Sequence, residues 1–197
     1  MLNKSAVPRL VDHDSRRAEL AAALWRVVMR DGIEAASIRR VAAEAGCSTG
    51  SLRHFFDSQS GLLAFAMEQV VERVTGRVRA LREDDHMGRL AQILPLDPPR
   101  RAEVEVWLAF TARALVDPAL RPLRDDAHAA LRELCRAAAG ERSGGEARGR
   151  DRSAEALHAL VDGLALHGIL APAVTTPERQ LELLREQLER ADGPSSR

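Results

Sequence analysis

Between Ser37 and Phe56 the chain reads SIRRVAAEAGCSTGSLRHFF, and this stretch constrains the fold more tightly than any other. Ser37 is a good N-cap, and Ile38, Val41, Ala42 and Ala45 follow at i, i+3, i+4 and i+7, the apolar face of one short helix. Gly46 falls where a helix end calls for a left-handed residue, which glycine supplies without a Cβ clash. Cys47 reads as a small hydrophobe in the turn, a structural thiol rather than a redox switch. Ser48 then caps a second helix through Thr49, Gly50, Ser51, Leu52, Arg53, His54 and Phe55. Leu52 and Phe56 can face a core together, which leaves Thr49, Gly50, Ser51, Arg53 and His54 pointing outward. Small side chains at the start of a helix, followed by hydrogen-bond donors, suit close approach to base edges and phosphates. The pattern predicts a helix-turn-helix whose second helix enters a DNA major groove.

The flanking segments complete a three-helix head. Leu20, Ala23, Leu24, Val27 and Val28 stripe a helix from about Ser15 to Arg30, which Asp31-Gly32 ends. Residues 57–60 form a polar break, and a long helix runs from Gly61 to about Arg82 with Leu62, Leu63, Phe65, Ala66, Val70, Val74 and Val78. The remainder carries helical periodicity and no strand alternation. A short helix is expected around Met87–Leu94, then a loop marked by Pro95, Pro98 and Pro99. Further helices are expected over Arg100–Val116, Pro122–Ala139, Ser153–Leu170 and Thr176–Ala191. Gly140–Arg150 reads as a mobile Gly- and Arg-rich loop, and the two ends, 1–11 and 192–197, as disordered. The fold class is therefore all-α, with about nine helices.

Composition excludes several alternatives. No run approaches the ~18 apolar residues of a membrane helix, and no basic-then-apolar leader opens the chain. Cys47 and Cys135 are far apart in sequence, so reduced thiols and a cytoplasmic location are expected. Net charge is zero over 197 residues, and the first sixty hold nine basic against seven acidic groups. So slight a bias opposes strong non-specific nucleic-acid binding, though placed contacts can still read a palindrome. No phosphate-cradling Gly loop, HExxH pair or serine elbow is present, so an enzyme is not expected, nor a cofactor or metal.

On these residues the run Arg16–Phe65 resembles the DNA-binding domain of TetR-type transcriptional repressors. The resemblance rests on Asp31-Gly32, Ser37-Ile38, Ala45-Gly46-Cys47-Ser48, Gly50-Ser51-Leu52, Phe56 and Leu62-Leu63 at their mutual spacings. It implies operator contacts from Ser37, Arg39, Ser48, Thr49, Gly50, Ser51, Arg53, His54, Phe55 and Gln59. Arg53 stands where the family usually has Tyr, Gln59 where it has a phosphate-binding Lys, and Cys47 in place of Val. From about Leu90 to Ala191 the chain resembles the ligand-binding half of the BetI-like branch. The matching pieces are LPLD at 94–97, RAEVEVWLAFTARALVDP at 101–118, LVDGLAL at 160–166 and TPER at 176–179. It implies an effector-sensing homodimer that binds a double-stranded operator as a repressor and is released by a small molecule. Choline is the effector that branch suggests, but its ammonium wants an aromatic cage, and this chain has no Tyr.

The expected organisation is a DNA-binding head over 1–60, a ligand-binding and dimerisation domain over 61–192 and a tail over 193–197. Phe65, Met87, Trp107, Phe110, Thr111, His128 and His167 are candidate lining for an effector pocket, against plain core packing. Leu157, Leu160, Val161, Leu164 and Gly168, with Leu181, Leu184 and Leu188, stripe the last two helices. Those stripes suit either a monomer's core or a four-helix dimer interface, and the resemblance favours the dimer. His158 and Asp162 stand one turn apart and read as a surface or interface pair rather than a metal half-site. A second function fits the same residues: a protein-binding regulator that keeps the fold without specific DNA binding.

Overall fold

A computed structural model of the chain describes residues 9–140 and 147–191, with side chains over 15–139, at 149 and over 151–190. The described residues contain nine α-helices and two short 3-10 turns, and no strand occurs among them. The helices are α1 (Arg9–Asp31), α2 (Ile38–Glu44), α3 (Thr49–Arg53), α4 (Gln59–Arg79), α5 (His86–Ala91), α6 (Pro98–Val116), α7 (Arg121–Gly140), α8 (Ala147–Leu170) and α9 (Pro177–Ala191). The chain divides into two compact units, Met1–Ala66 and Met67–Arg197. Helix α4 begins in the first and ends in the second. No described helix is long and apolar enough to cross a membrane.

In the first unit, Leu20, Leu24, Val27 and Val28 of α1 are buried with Val41 and Ala42 of α2, Leu52 of α3, and Leu62 and Phe65 of α4. The rings of Phe56 and Phe65 meet at 4.9 Å, tilted by 40°. Such an aromatic pair adds to what area burial alone contributes. Phe65 also carries the Arg17 guanidinium over its face at 4.7 Å.

In the second unit, α7 packs along α8, and α8 against α6 and α9. The buried residues include Leu90, Leu94, Val104, Leu131, Cys135, Leu157, Val161, Leu164, Leu184 and Leu188. Aspartates start α5 and α6: the Asp85 carboxylate accepts from the Gly88 N–H at 2.8 Å, and the Asp97 carboxylate from Arg100 N–H at 2.9 Å.

Several boundaries differ from the sequence expectation. Arg9–Val11 form the first turn of α1 rather than a disordered end, while 1–8 lie outside the described residues. Pro98 and Pro99 open α6 instead of marking a loop. Proline suits the first turn, where its missing N–H has no helical partner anyway. Helix α8 starts at Ala147, so only 141–146 of the expected loop fall outside the described residues. Ala147 and the arginines at 148, 150 and 152 are strong helix formers, which outweighs the glycines before them. The expected tail, 192–197, also lies outside the described residues.

Candidate functional site

The turn between α2 and α3 is built by local hydrogen bonds. Ser37 Oγ accepts from the Arg40 N–H at 3.3 Å, and Ser48 Oγ from the Ser51 N–H at 3.0 Å, so each serine caps its helix. Gly46 adopts φ 65°, and the N–H of Cys47 reaches back to the Ala42 carbonyl at 2.9 Å. This left-handed closure is what glycine permits there. Thr49, Ser51 and Phe55 are half-buried, and Ser48, Gly50, Arg53 and His54 are exposed. A Cβ added at Gly50 would meet nothing nearer than Ser48 Oγ at 3.8 Å. The fold does not require glycine at that position, so the bare backbone is free for an outside partner.

Ion pairs sort the arginines of the head. Arg26 Nε donates to Glu44 at 2.7 Å and Arg30 Nη1 to the same carboxylate at 3.0 Å, tying α1 to α2. Those two arginines hold the Glu44 carboxyl below its usual range, Arg26 first. Arg40 pairs with Asp31 at 3.4 Å. Arg39 and Arg53 are exposed and, among the described residues, have no carboxylate partner. Gln59, expected at the operator, also has a partner within the head. Its amide Nε2 donates to the Ala36 carbonyl at 2.6 Å, so it fastens the start of α4 to the segment before α2.

The second unit contains a cavity of about 310 Å³. Its wall is mostly apolar: Met67, Val70, Val71, Val74 and Val78 of α4, Val104 and Trp107 of α6, Leu131 and Leu134 of α7, and Ala165 of α8. Polar groups enter from Thr75, Arg79, Arg89, Gln92, Glu103, His128 and Asp162. Behind Glu103 stands a bidentate ion pair, with Arg77 Nη1 at 2.8 Å and Nη2 at 2.5 Å from the two carboxylate oxygens. The Arg77 guanidinium also donates to the side chain and carbonyl of Gln92, each at 3.2 Å. Hydrogen bonding to Glu103 raises the Arg77 pKa against the opposing effect of burial.

Of the seven residues expected to line a pocket, Trp107 and His128 do. Phe65 lies in the head core against Phe56, and Phe110 is wholly buried in α6. Met87 packs against the core of the second unit, and His167 is exposed. Thr111 does not reach the cavity wall, and its buried hydroxyl has no hydrogen-bond partner among the described residues. Helical spacing reveals a buried face but not which buried residues border a void. The valine series of α4, legible only as core, is the principal wall that sequence reasoning missed.

Beside the cavity, the rings of His128 and His158 lie 4.4 Å apart. His158 Nε2 is 3.5 Å from Asp162 Oδ2. Burial pushes the His158 pKa down against the pull of the Asp162 charge, and burial pushes the Asp162 carboxyl up against the pull of His158. Cys135, behind them in the core, has its thiol pushed up to about 12, by burial first and then by the charge of Asp162.

The stripes on α8 and α9 are mainly used inside the chain. Leu157, Val161, Leu164, Leu184 and Leu188 all lie in the core of the second unit, a correction to their expected place at a subunit interface. Gly168 is also internal, because a Cβ there would meet Pro95 Cγ and Gln180 Nε2 at 2.7 Å. Leu160 and Leu181 are half-buried, and Leu166 and Leu170 are exposed. The strongest apolar stripe of a helix goes to its own core, and a partner surface must come from what is left.

Comparison with known proteins agrees with this architecture. The profile of the bacterial regulatory proteins of the tetR family matches residues 20–73, and that of the BetI-type transcriptional repressor C-terminal region matches 82–193. The chain belongs to the TetR family. It is a transcriptional regulator with a BetI-type C-terminal half. It is 36% identical to the HTH-type transcriptional regulator PksA of Bacillus subtilis (strain 168), over 93% of each chain. The crystal structure of a transcriptional regulator from Rhodococcus sp. Rha1 is similar at TM-score 0.77 and 32% identity, covering 89% of this chain and 95% of that one. The multidrug binding protein EbrR, solved with imidazole, is similar at TM-score 0.63 and 30% identity, covering 87% of this chain and 94% of that one.

Proposed function

We propose that this TetR-family regulator is a cytoplasmic homodimeric repressor that reads a palindromic operator and releases it when a small molecule fills the cavity beside α4. The observation that carries the reading is the α3 surface. It is short, capped and exposed, bare at Gly50, and accompanied by two arginines, Arg39 and Arg53, free of carboxylate partners among the described residues. In this reading α3 enters the major groove. Arg53, His54 and Thr49 meet base edges, while Arg39 and the hydroxyls of Ser37, Ser48 and Ser51 meet phosphates. Phe55 packs at the margin of that surface. Two such heads require two chains, with half-sites one helical turn or a little more apart.

Leu160, Gly163, Leu166 and Leu170 supply the partner surface. They follow one another at three- and four-residue steps along α8, with Leu166 and Leu170 exposed and Leu160 and Gly163 half-buried. The effector is an apolar molecule of small-drug size with a polar end facing His128 and Asp162, as the cavity volume and wall suggest. That the similar multidrug binding protein EbrR was solved with imidazole supports a small-molecule ligand. Helix α4 supplies much of the wall and begins in the head, so filling the cavity shifts α4 and with it the head. The effector acts only through its differential affinity for the two states.

Fluorescence anisotropy on DNA from immediately upstream of the chain's own gene, at two salt concentrations, tests this. Saturable binding of two chains per site, on the order of a thousandfold above scrambled DNA, is the expected result. Equal weak binding to both DNAs, alongside capture of a protein partner, would favour the protein-binding regulator instead.

A further inference from the structure

At the edge of the cavity stands a group of side chains whose donor atoms converge from two helices. His128 comes from α7, and His158 and Asp162 come from successive turns of α8. One ligand-type atom from each lies within 4.8 Å of the other two. In tetrahedral zinc, bonds of about 2.0–2.1 Å set ligand atoms about 3.3 Å apart, so rotation of side chains by roughly 1.5 Å at their tips closes the set. Two imidazoles and a carboxylate form a donor set that suits zinc and its neighbours rather than calcium or magnesium.

Two further observations point to a ligand here. His158 is nine-tenths buried, yet its Nε2 has no hydrogen-bond partner among the described residues and faces the Asp162 carboxylate at 3.5 Å. A buried ring nitrogen left in this way is costly to the fold until something occupies it. His128 and Asp162 open onto the cavity while His158 does not line it. Three protein ligands thus leave a fourth position facing the cavity, as in zinc sites that keep an exchangeable ligand.

We propose that His128, His158 and Asp162 bind one divalent transition-metal ion of the zinc class at the wall of the effector cavity. The ion fastens α7 to α8 and presents an open coordination position to whatever enters. An effector with a carboxylate, thiolate or imidazole-like donor would bind through it. This inference concerns the cavity of the proposed effector reading, but it is tested without DNA, so it fails or stands independently of operator binding.

The experiment uses the full chain, stripped with a chelator and titrated with Zn²⁺ by calorimetry and with Co²⁺ by visible absorption. One ion per chain is expected, with the intense ligand-field bands of four-coordinate cobalt. His128→Ala and Asp162→Asn each weaken Zn²⁺ binding by about a hundredfold or more. Both positions reach solvent, so circular dichroism is expected to show both variants folded, which keeps the test independent of the buried His158. Zn²⁺ binding of equal strength in the wild type and both folded variants would overturn the proposal, as would no binding in the wild type.

Discussion

The side-chain amide of Gln59, in the first turn of α4, donates to the backbone carbonyl of Ala36 across 2.6 Å. This single bond fastens α4 to the segment that enters the helix-turn-helix. It gives Gln59 an architectural role inside the head. Gln59→Ala therefore lowers stability by about 1 kcal/mol, read by urea denaturation, because the carbonyl loses its donor. Gln59→Lys exchanges that bond for a mobile cation. On operator DNA it raises affinity at low salt and steepens the slope of log K against log salt by about one. An unchanged slope would mean that position 59 does not face phosphate.

Among the described residues, Arg39 and Arg53 lack the carboxylate partners that Arg16, Arg26, Arg30 and Arg40 have. Arg39→Ala is expected to weaken binding uniformly across DNA sequences and to reduce the salt slope by about one. Arg53→Ala is expected to cost about 1–3 kcal/mol on the operator and to relax specificity at one base pair. Arg26→Ala is the contrasting control: it breaks the pair with Glu44 and lowers thermal stability while leaving the salt slope in place. Anisotropy titrations at three salt concentrations separate the cases.

Glu44 is held in its charged form by Arg26 and Arg30. Its folded-state pKa lies below the unfolded value. The stabilisation is then complete above the ordinary glutamate range and is lost as pH falls through the folded value. Glu44→Gln should lower the melting temperature at pH 7 and converge on the wild type in strong acid. A constant difference at all pH values would show that the link between α1 and α2 does not depend on charge.

The Arg77–Glu103 pair lies behind the cavity with Glu103 almost wholly buried and Arg77 about one-third exposed. Removing the carboxylate in Glu103→Ala leaves the guanidinium against an apolar wall. Breaking a buried pair costs about 3–5 kcal/mol, and partial solvation of Arg77 brings the expected loss to roughly 2–3 kcal/mol. Joint replacement by Met and Leu is expected to recover most of it, since apolar groups of similar volume need no counter-charge. Chemical denaturation of the single and double variants measures both.

Gly168→Ala places a methyl 2.7 Å from Pro95 Cγ and Gln180 Nε2. Proline cannot yield, and the Gln180 amide is held by the Thr175 carbonyl at 3.0 Å. A loss of about 1–3 kcal/mol is expected in thermal or urea unfolding, as for other overpacked sites. A neutral outcome would show that α8 and α9 separate easily at this point.

The local signals of the chain were readable without tertiary structure. Ser37 and Ser48 as caps, Gly46 as a left-handed closure, and the i, i+3, i+4 stripes of α1 and α2 depend on neighbours within a few residues. The cavity was not readable in the same way. Val70, Val74 and Val78 display a buried face, but a sequence does not say that the opposing surfaces of α6 and α7 stop short of filling it. Phe110 and Trp107 sit three residues apart on one helix, and only one of them borders the void.

The sequence by itself determined the all-helical class, the serine caps and the glycine turn of the helix-turn-helix, because those features follow from backbone propensity and short-range hydrogen bonding. Tertiary structure alone decided the destinations of side chains. It put Leu157, Val161 and Leu184 into the core of one chain and bound Gln59 to Ala36. It also brought His128 of α7 against His158 of α8, thirty positions along the chain. Those outcomes depend on which faces of distant helices meet. That choice is made by burying the most apolar surface of the whole chain at once rather than by any local pattern.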